Sequence, residues 1–132
     1  MVLYVVVCST YGGVYFSKTG KCYKHYHEKF SWVEARAECK IRHENGDLAV
    51  ISNQDILDFV KINFNFFDSP WIGAVETRTG EWTWADGTPW TDFGQIIYKD
   101  EDPSSNIQYM LFNYNYWNGY GGNSRYGFFC QF

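Results

Sequence analysis

The chain has no basic run of five or more residues, and its 11 Lys and Arg fall short of its 15 Asp and Glu, leaving a net charge of −4. That balance argues against duplex DNA or an anionic membrane as a partner. No stretch approaches the roughly 18 apolar residues that a bilayer span requires, so membrane insertion is not expected. Cys8, Cys22, Cys39 and Cys130 form no CxxC pair, which removes the usual zinc and dithiol signatures. A Gly-x-Ser-x-Gly elbow, a phosphate loop, an HExxH helix and an isolated Cys/His nucleophile are all missing. The sequence therefore does not read as an enzyme. Asn-x-Ser/Thr is absent too, and N-glycosylation is not expected.

Aromatic residues are what the chain has in excess: 6 Trp, 11 Tyr and 11 Phe make up 21% of 132 residues. Disordered segments lack such surface, so an ordered core is expected, and the length suits one domain spanning 1–132. An even cysteine count in a short aromatic-rich chain favours two disulfides, an oxidising compartment and a secreted, extracellular protein.

Val2–Val7 reads as a first strand, the tail of a signal segment being the alternative. Val14–Phe16 and Cys22–Tyr26 read as further strands around the turn Lys18-Thr19-Gly20. Ser31-Trp32-Val33-Glu34 is a capping box, and Trp32, Ala35 and Cys39 make a helical stripe ending near Ile41. Leu48–Ile51 reads as a strand. A second start signal at Ser52-Asn53-Gln54-Asp55 precedes Ile56, Phe59 and Val60 at helical spacing, which predicts a helix over Gln54–Asn63. Beyond Trp71 the pattern turns to strands: Trp71–Val75, Trp82–Trp84, Tyr109–Phe112 and Gly127–Phe132. Residues Gln95–Asn106 show no regular period and hold Asp100, Glu101 and Asp102. Two helices followed by a strand-rich half give an α+β fold with mostly antiparallel pairing.

In order, the chain carries Cys22-Tyr23, Ser31-Trp32-x-Glu34-Ala35-x3-Cys39, Leu48-Ala49-Val50-Ile51-Ser52, Trp71-Ile72-Gly73, Trp82-x-Trp84-x-Asp86-Gly87-Thr88-Pro89, Trp117-Asn118 and Phe129-Cys130. With these pieces at compatible spacing, it resembles the C-type lectin-like domain over essentially its full length. The resemblance implies a double-loop fold with adjacent termini and a Cys39–Cys130 disulfide. It also implies the long form, with an N-terminal hairpin extension over 1–26 closed by Cys8–Cys22, and a long-loop binding region over 95–122. A Cys39–Cys130 bridge closes a loop of about 90 residues, for an entropic stabilisation of about 4–5 kcal/mol.

The sequence also departs from the family pattern. The second core disulfide would fall on or next to Ile107 and on Gly122, so the loop is untethered at its base. The sugar-specificity triad is replaced by Glu101-Asp102-Pro103, its proline one place late, and Trp-Asn-Asp becomes Trp117-Asn118-Gly119, which loses a carboxylate. Calcium takes about six to eight oxygens. Asp100, Glu101, Asp102 and Asn118, with Ser105 and the Gly119 carbonyl, are the candidate set. A solvated acidic loop without an ion is the competing reading, and an alternative alignment sets Gln95-Ile96-Ile97 at the motif.

Aromatics offer a second route to recognition. Tyr114, Tyr116, Trp117 and Tyr120 alternate with Asn113, Asn115 and Asn118; rings can stack on a pyranose while amides bond its hydroxyls. Most of these rings are expected to be packing, Trp117 above all, with Tyr120 and one of Tyr114 or Tyr116 exposed. Glu101, Asp102, Asn118, Tyr116 and Tyr120 are the ligand-binding candidates, with glycans or a glycoprotein surface as partner. The alternative is a calcium-independent module of the same class that binds a protein, mineral or ice surface. His25-x-His27 could place two imidazoles on one strand face for zinc, but with no third ligand a solvated face is the better reading.

Overall fold

The computed structural model describes residues 2–99 and 107–132. Three helices and nine strands follow in the order α1 (Val2–Thr10), β1 (Val14–Phe16), β2 (Lys21–Phe30), α2 (Trp32–Arg42), β3 (Asp47–Leu48), α3 (Gln54–Asn63), β4 (Trp71–Glu76), β5 (Trp82–Trp84), β6 (Ile97–Lys99), β7 (Gln108–Phe112), β8 (Trp117–Gly121) and β9 (Tyr126–Gln131). The strands form one sheet with the path β1-β2-β9-β4-β7-β8-β6, to which β3 adds on β9 and β5 on β4. Pairing is antiparallel except between β4 and β9 and between β6 and β8.

α2 begins where its capping box sits. The Glu34 N–H donates to the Ser31 hydroxyl at 3.3 Å, and the Glu34 carboxylate accepts the Ser31 N–H at 3.1 Å. Two otherwise unpaired donors of the first turn are thereby satisfied. α3 is capped by Asn53, whose side-chain oxygen accepts the Ile56 N–H at 3.0 Å. Its period buries Ile56, Leu57, Phe59 and Val60 in the larger core, together with Tyr23, Ile72, Trp84, Phe112, Trp117 and Phe129. α2 buries Trp32, Ala35 and Cys39 in the second core, against Leu48, Trp71, Leu111 and Phe128. Two buried indoles are polar anchors as well: Trp32 Nε1 donates to the Ile72 carbonyl at 2.8 Å and Trp71 Nε1 to the Phe30 carbonyl at 2.9 Å.

Both disulfides form as the resemblance implied, Cys8–Cys22 and Cys39–Cys130. The chain ends lie together. Cys22 N–H donates to the Phe132 carbonyl at 2.7 Å, Phe132 N–H returns a bond to the Cys22 carbonyl at 2.9 Å, and the Tyr4 hydroxyl reaches the Phe132 carbonyl.

The N-terminal expectation is corrected. Val2–Val7 is not a strand but lies within α1, which makes three helices instead of two. Both edges of β2 are occupied, by β1 and by β9, so the valine run has no place beside it. Cys8 is instead brought to Cys22 from the last turn of a helix, which closes through Gly13 N–H to the Cys8 carbonyl at 3.0 Å. Val5, Val6 and Val7 are exposed, so it is the Cys8 bridge and the Tyr4 hydroxyl, not burial of the valines, that tie this segment down against their β preference. The expected strand Leu48–Ile51 shortens to β3, yet Ala49–Ile51 is buried and bonded. Ala49 N–H donates to the Phe129 carbonyl and Val50 N–H to the Gln131 side chain, each at 2.8 Å. The segment expected to lack periodic structure contains β6, which lies parallel to β8.

Candidate functional site

The β7–β8 hairpin carries the second-half candidates, and alternation along β8 divides them. Trp117 and Gly119 face the core, while Asn118 and Tyr120 face the other way. Trp117 is buried and meets Trp84, Trp90, Phe93 and Phe112 edge-on or tilted, so it is a packing residue, as expected.

Tyr114 is spent on structure too. Its hydroxyl donates to the Phe64 carbonyl and accepts the Phe66 N–H, each at 2.5 Å, which ties the exit of α3 to the hairpin. Tyr116 is the exposed ring of the pair. It meets Tyr98 edge-to-face at 5.3 Å between centroids. Tyr98 and its neighbour Ile96 are more than half exposed, and β6 sets Tyr98 opposite Asn118 in register. Tyr98 was not among the sequence candidates. A three-residue parallel strand leaves no period to read, and its place is fixed by β8, some twenty residues on.

Beside Tyr116 lies a cleft of about 160 Å³, lined among others by Gln54, Lys61, Gln95, Ile96 and Asn115. Some of its amides are already engaged: Gln95 accepts the Phe93 N–H at 2.8 Å, and Gln54 donates to Asp58 at 2.7 Å. Asn118 and Tyr120 line a different cleft, of about 220 Å³, with Tyr120 edge-on to Tyr126 at 5.9 Å. The candidates thus split between two places: Asn118 and Tyr120 come together, and Tyr116 stands apart. Asp100, Glu101, Asp102 and Ser105 lie outside the described residues.

Of the implied calcium set, the described part is Asn118 and Gly119. These offer at most a side-chain oxygen and a carbonyl, far short of the ion's about six to eight. The missing carboxylate has a physical cause. A Cβ on Gly119 would sit 3.0 Å from the Trp82 indole and 2.7 Å from Gln108 Oε1. Gln108 is itself buried, and the indole packs against the core. The described residues do not by themselves make a calcium site, and among them no group of three or more His, Cys, Asp or Glu could hold a metal.

β6 is fixed at its far end by an ion pair between the Lys99 ammonium and the buried Glu76 carboxylate of β4. The two imidazoles on β2 do come together, His25 and His27 at 4.3 Å between centroids, with His25 edge-on to Phe66 at 4.6 Å. Burial, reinforced by His27, lowers the His25 pKa to about 4, with Asp68 opposing. A histidine so held is a neutral packing group at physiological pH.

Termini joined through β2 and β9 and two disulfides define a small disulfide-braced α+β domain. The Lectin C-type domain family matches residues 28–132, and the chain belongs to that family. It is 29% identical over 131 residues to C-type lectin lectoxin-Phi2 of Philodryas olfersii, covering 89% of this chain and 81% of that protein. Lactose-binding lectin l-2 of Anguilla japonica is 37% identical over 70 residues, 52% of this chain and 41% of its own length. The chain spans less than half the length of several curated relatives it matches, 48% of one and 40% of another. Among solved structures, the cow C-type carbohydrate-recognition domain of CD23, determined in the presence of GlcNAc2Man3 oligosaccharide, superposes with a TM-score of 0.69. It is 25% identical and covers 91% of this chain and 92% of that one.

Proposed function

We propose that the chain is an extracellular carbohydrate-recognition domain that binds glycans through the surface at Tyr116, Tyr98 and Ile96. The observation that carries this reading is the exposed Tyr98–Tyr116 pair beside a cleft with amide and ammonium groups. Two rings held edge-to-face give an apolar platform for a pyranose face, and Asn115 and Lys61 stand ready to bond its hydroxyls. Membership of the lectin family and the sugar ligands named for two of the relatives above support the choice of ligand class. Two disulfides support an oxidising, extracellular setting. The absence of any catalytic motif in the sequence supports binding as the whole activity.

Family members use calcium to bridge protein and sugar. In this chain such an ion would draw on Asn118 and the acids Asp100, Glu101 and Asp102. A glycan array probed with and without EDTA, on the protein and on Tyr116→Ala, tests the reading. Neutral-glycan binding that falls at least tenfold in Tyr116→Ala is the expected result, and a blank array would overturn it. Signals unchanged by EDTA would place recognition on the rings and amides alone.

A second reading, a calcium-independent module engaging a protein, mineral or ice surface, is favoured by the indole that occupies the space a carboxylate at position 119 would need. A melting temperature raised by millimolar calcium would count against it.

A further inference from the structure

The cleft of about 220 Å³ on the Asn118 face of β8 is lined by none of Tyr98, Tyr116 and Ile96. Four parts of the chain build it: Lys29 at the end of β2, Asp68 and Ser69 ahead of β4, Asn118 and Tyr120 on β8, and Arg125 in the turn entering β9. Its volume is below the several hundred Å³ of drug-sized sites, which suits a single sugar residue.

The charges are arranged unevenly around it. Lys29 and Arg125 supply two cations and Asp68 one carboxylate. Among the described residues Arg125 pairs with Glu34 at 3.4 Å, and both side chains are more than half exposed, 60% and 54%. Such an exposed pair holds little energy, so the guanidinium can turn to another anion at small cost. The uncharged wall is formed by the Tyr120 ring, with Tyr126 edge-on beside it, and by the Leu111 side chain. A flat apolar wall, an amide and a serine hydroxyl beside two cations match a pyranose that carries an anionic group. The ammonium and the forked guanidinium take the anion, Asp68 and Asn118 take ring hydroxyls, and Tyr120 takes the ring face.

We propose that this cleft is a second binding site, selective for an acidic sugar residue, a uronic acid or a sulfated hexose. It rests on the reading of the chain as a glycan-binding domain but uses none of the residues of the Tyr98–Tyr116 surface. One ligand presenting a neutral and an acidic residue could span both sites, and its avidity would exceed that of either alone.

Titration of the full chain with methyl β-glucuronide, glucose 6-sulfate and methyl β-glucoside, followed by amide chemical shifts, tests it. The expected result is at least tenfold tighter binding of one or both acidic sugars than of the glucoside. Shifts should centre on Asn118, Tyr120 and Gly127, and affinity should fall between 50 and 300 mM NaCl. Carboxylate and sulfate arms identify which anion the site takes. Lys29→Gln combined with Arg125→Gln removes both exposed cations without touching the core, and should abolish the acidic preference while neutral-glycan binding on the array is unchanged. Tyr116→Ala should do the reverse. Equal affinity for acidic and neutral sugars, or an acidic preference that survives the double substitution, overturns the second site. A blank array for the unsubstituted chain, with its acidic preference intact in the titration, would overturn the neutral-glycan surface instead.

Discussion

At the scale of single residues, Gly119 and Lys99 decide what the β6–β8 edge can do. A carboxylate restored by Gly119→Asp would have to displace the Trp82 indole, since even a Cβ stands 3.0 Å from it. Overpacking of this kind costs about 1–3 kcal/mol. Gly119→Asp is therefore expected to lower the melting temperature and to leave it no more responsive to millimolar calcium than the unsubstituted chain. A variant of undiminished stability that gains calcium-dependent stabilisation would show that the indole is not the obstacle. Lys99 acts differently. Its ammonium neutralises Glu76, whose side chain is only 6% exposed, so Lys99→Met leaves a carboxylate nearly buried and unpaired. The expected loss is about 2 kcal/mol, read as a shift of the urea midpoint. Converting the acid as well, in Lys99→Met with Glu76→Gln, should recover part of it. If the single variant matched the parent in urea, the pair would be ornamental to stability and β6 would be held by its β8 bonds alone.

Elements differ in how far local sequence determines them. α2 and α3 were legible because a cap and a 3.6-residue stripe lie within one helix length. Ser31 with Glu34, and Asn53 with Ile56, are local chemistry, and the bounds of α3 fall where the pattern put them. The central strands were legible for the same reason, each being a bounded apolar or aromatic run. α1 was not, because Val2–Val7 has strand propensity and its conformation follows from where Cys22 and Phe132 are. β6 was not, because its bonds run to β8, and Tyr98 was missed with it. The candidate site was legible in part: Tyr116 is exposed and Asn118 and Tyr120 share a cleft, yet Tyr116 stands just ahead of β8 and lines a different cleft with Gln95 and Ile96, which no local pattern announces. Tyr114 shows how a residue of recognition type becomes a structural one. Its hydroxyl bridges Phe64 and Phe66 across 48 and 50 residues of chain. Tyr114→Phe leaves that carbonyl and N–H without their partner, and a loss of about 1–3 kcal/mol is expected. Amide exchange at Phe66 should quicken out of proportion to the rest of α3. Uniform quickening would mean that the hydroxyl contributes only to global stability.

Across the whole molecule, the fold is a long excursion closed at its base. Cys39–Cys130 spans 91 residues, and β2, β3 and β9 bring both ends of the chain to that bridge. Histidines sit around this base in a form that makes folding sensitive to acid. His25 is held neutral down to about pH 4, mainly by burial and then by His27. His43, stacked 3.5 Å from the Phe132 ring and bonded to the Tyr26 hydroxyl at 2.6 Å, is also lowered, by burial and by Lys24 and Arg42. An unfolded chain protonates these imidazoles near pH 6.5, while the fold lowers both, His25 to about 4. Their contribution to stability is therefore complete above about pH 6.5 and is lost as pH falls from there to about 4, where His25 charges in the fold as well. The melting temperature should decline across that window, and in its lower part the carboxylates Glu28 and Glu34, which are lowered by their own hydrogen bonds to Arg42 and Ser31, begin to add to the loss. His25→Gln removes the largest of these titrations and keeps a side chain of similar reach against Phe66. Its stability should be lower than the parent's at pH 7.5 and the difference should narrow towards pH 4.5. Parallel profiles for the two proteins across the whole range would mean that the imidazole of His25 is not what couples this fold to acid.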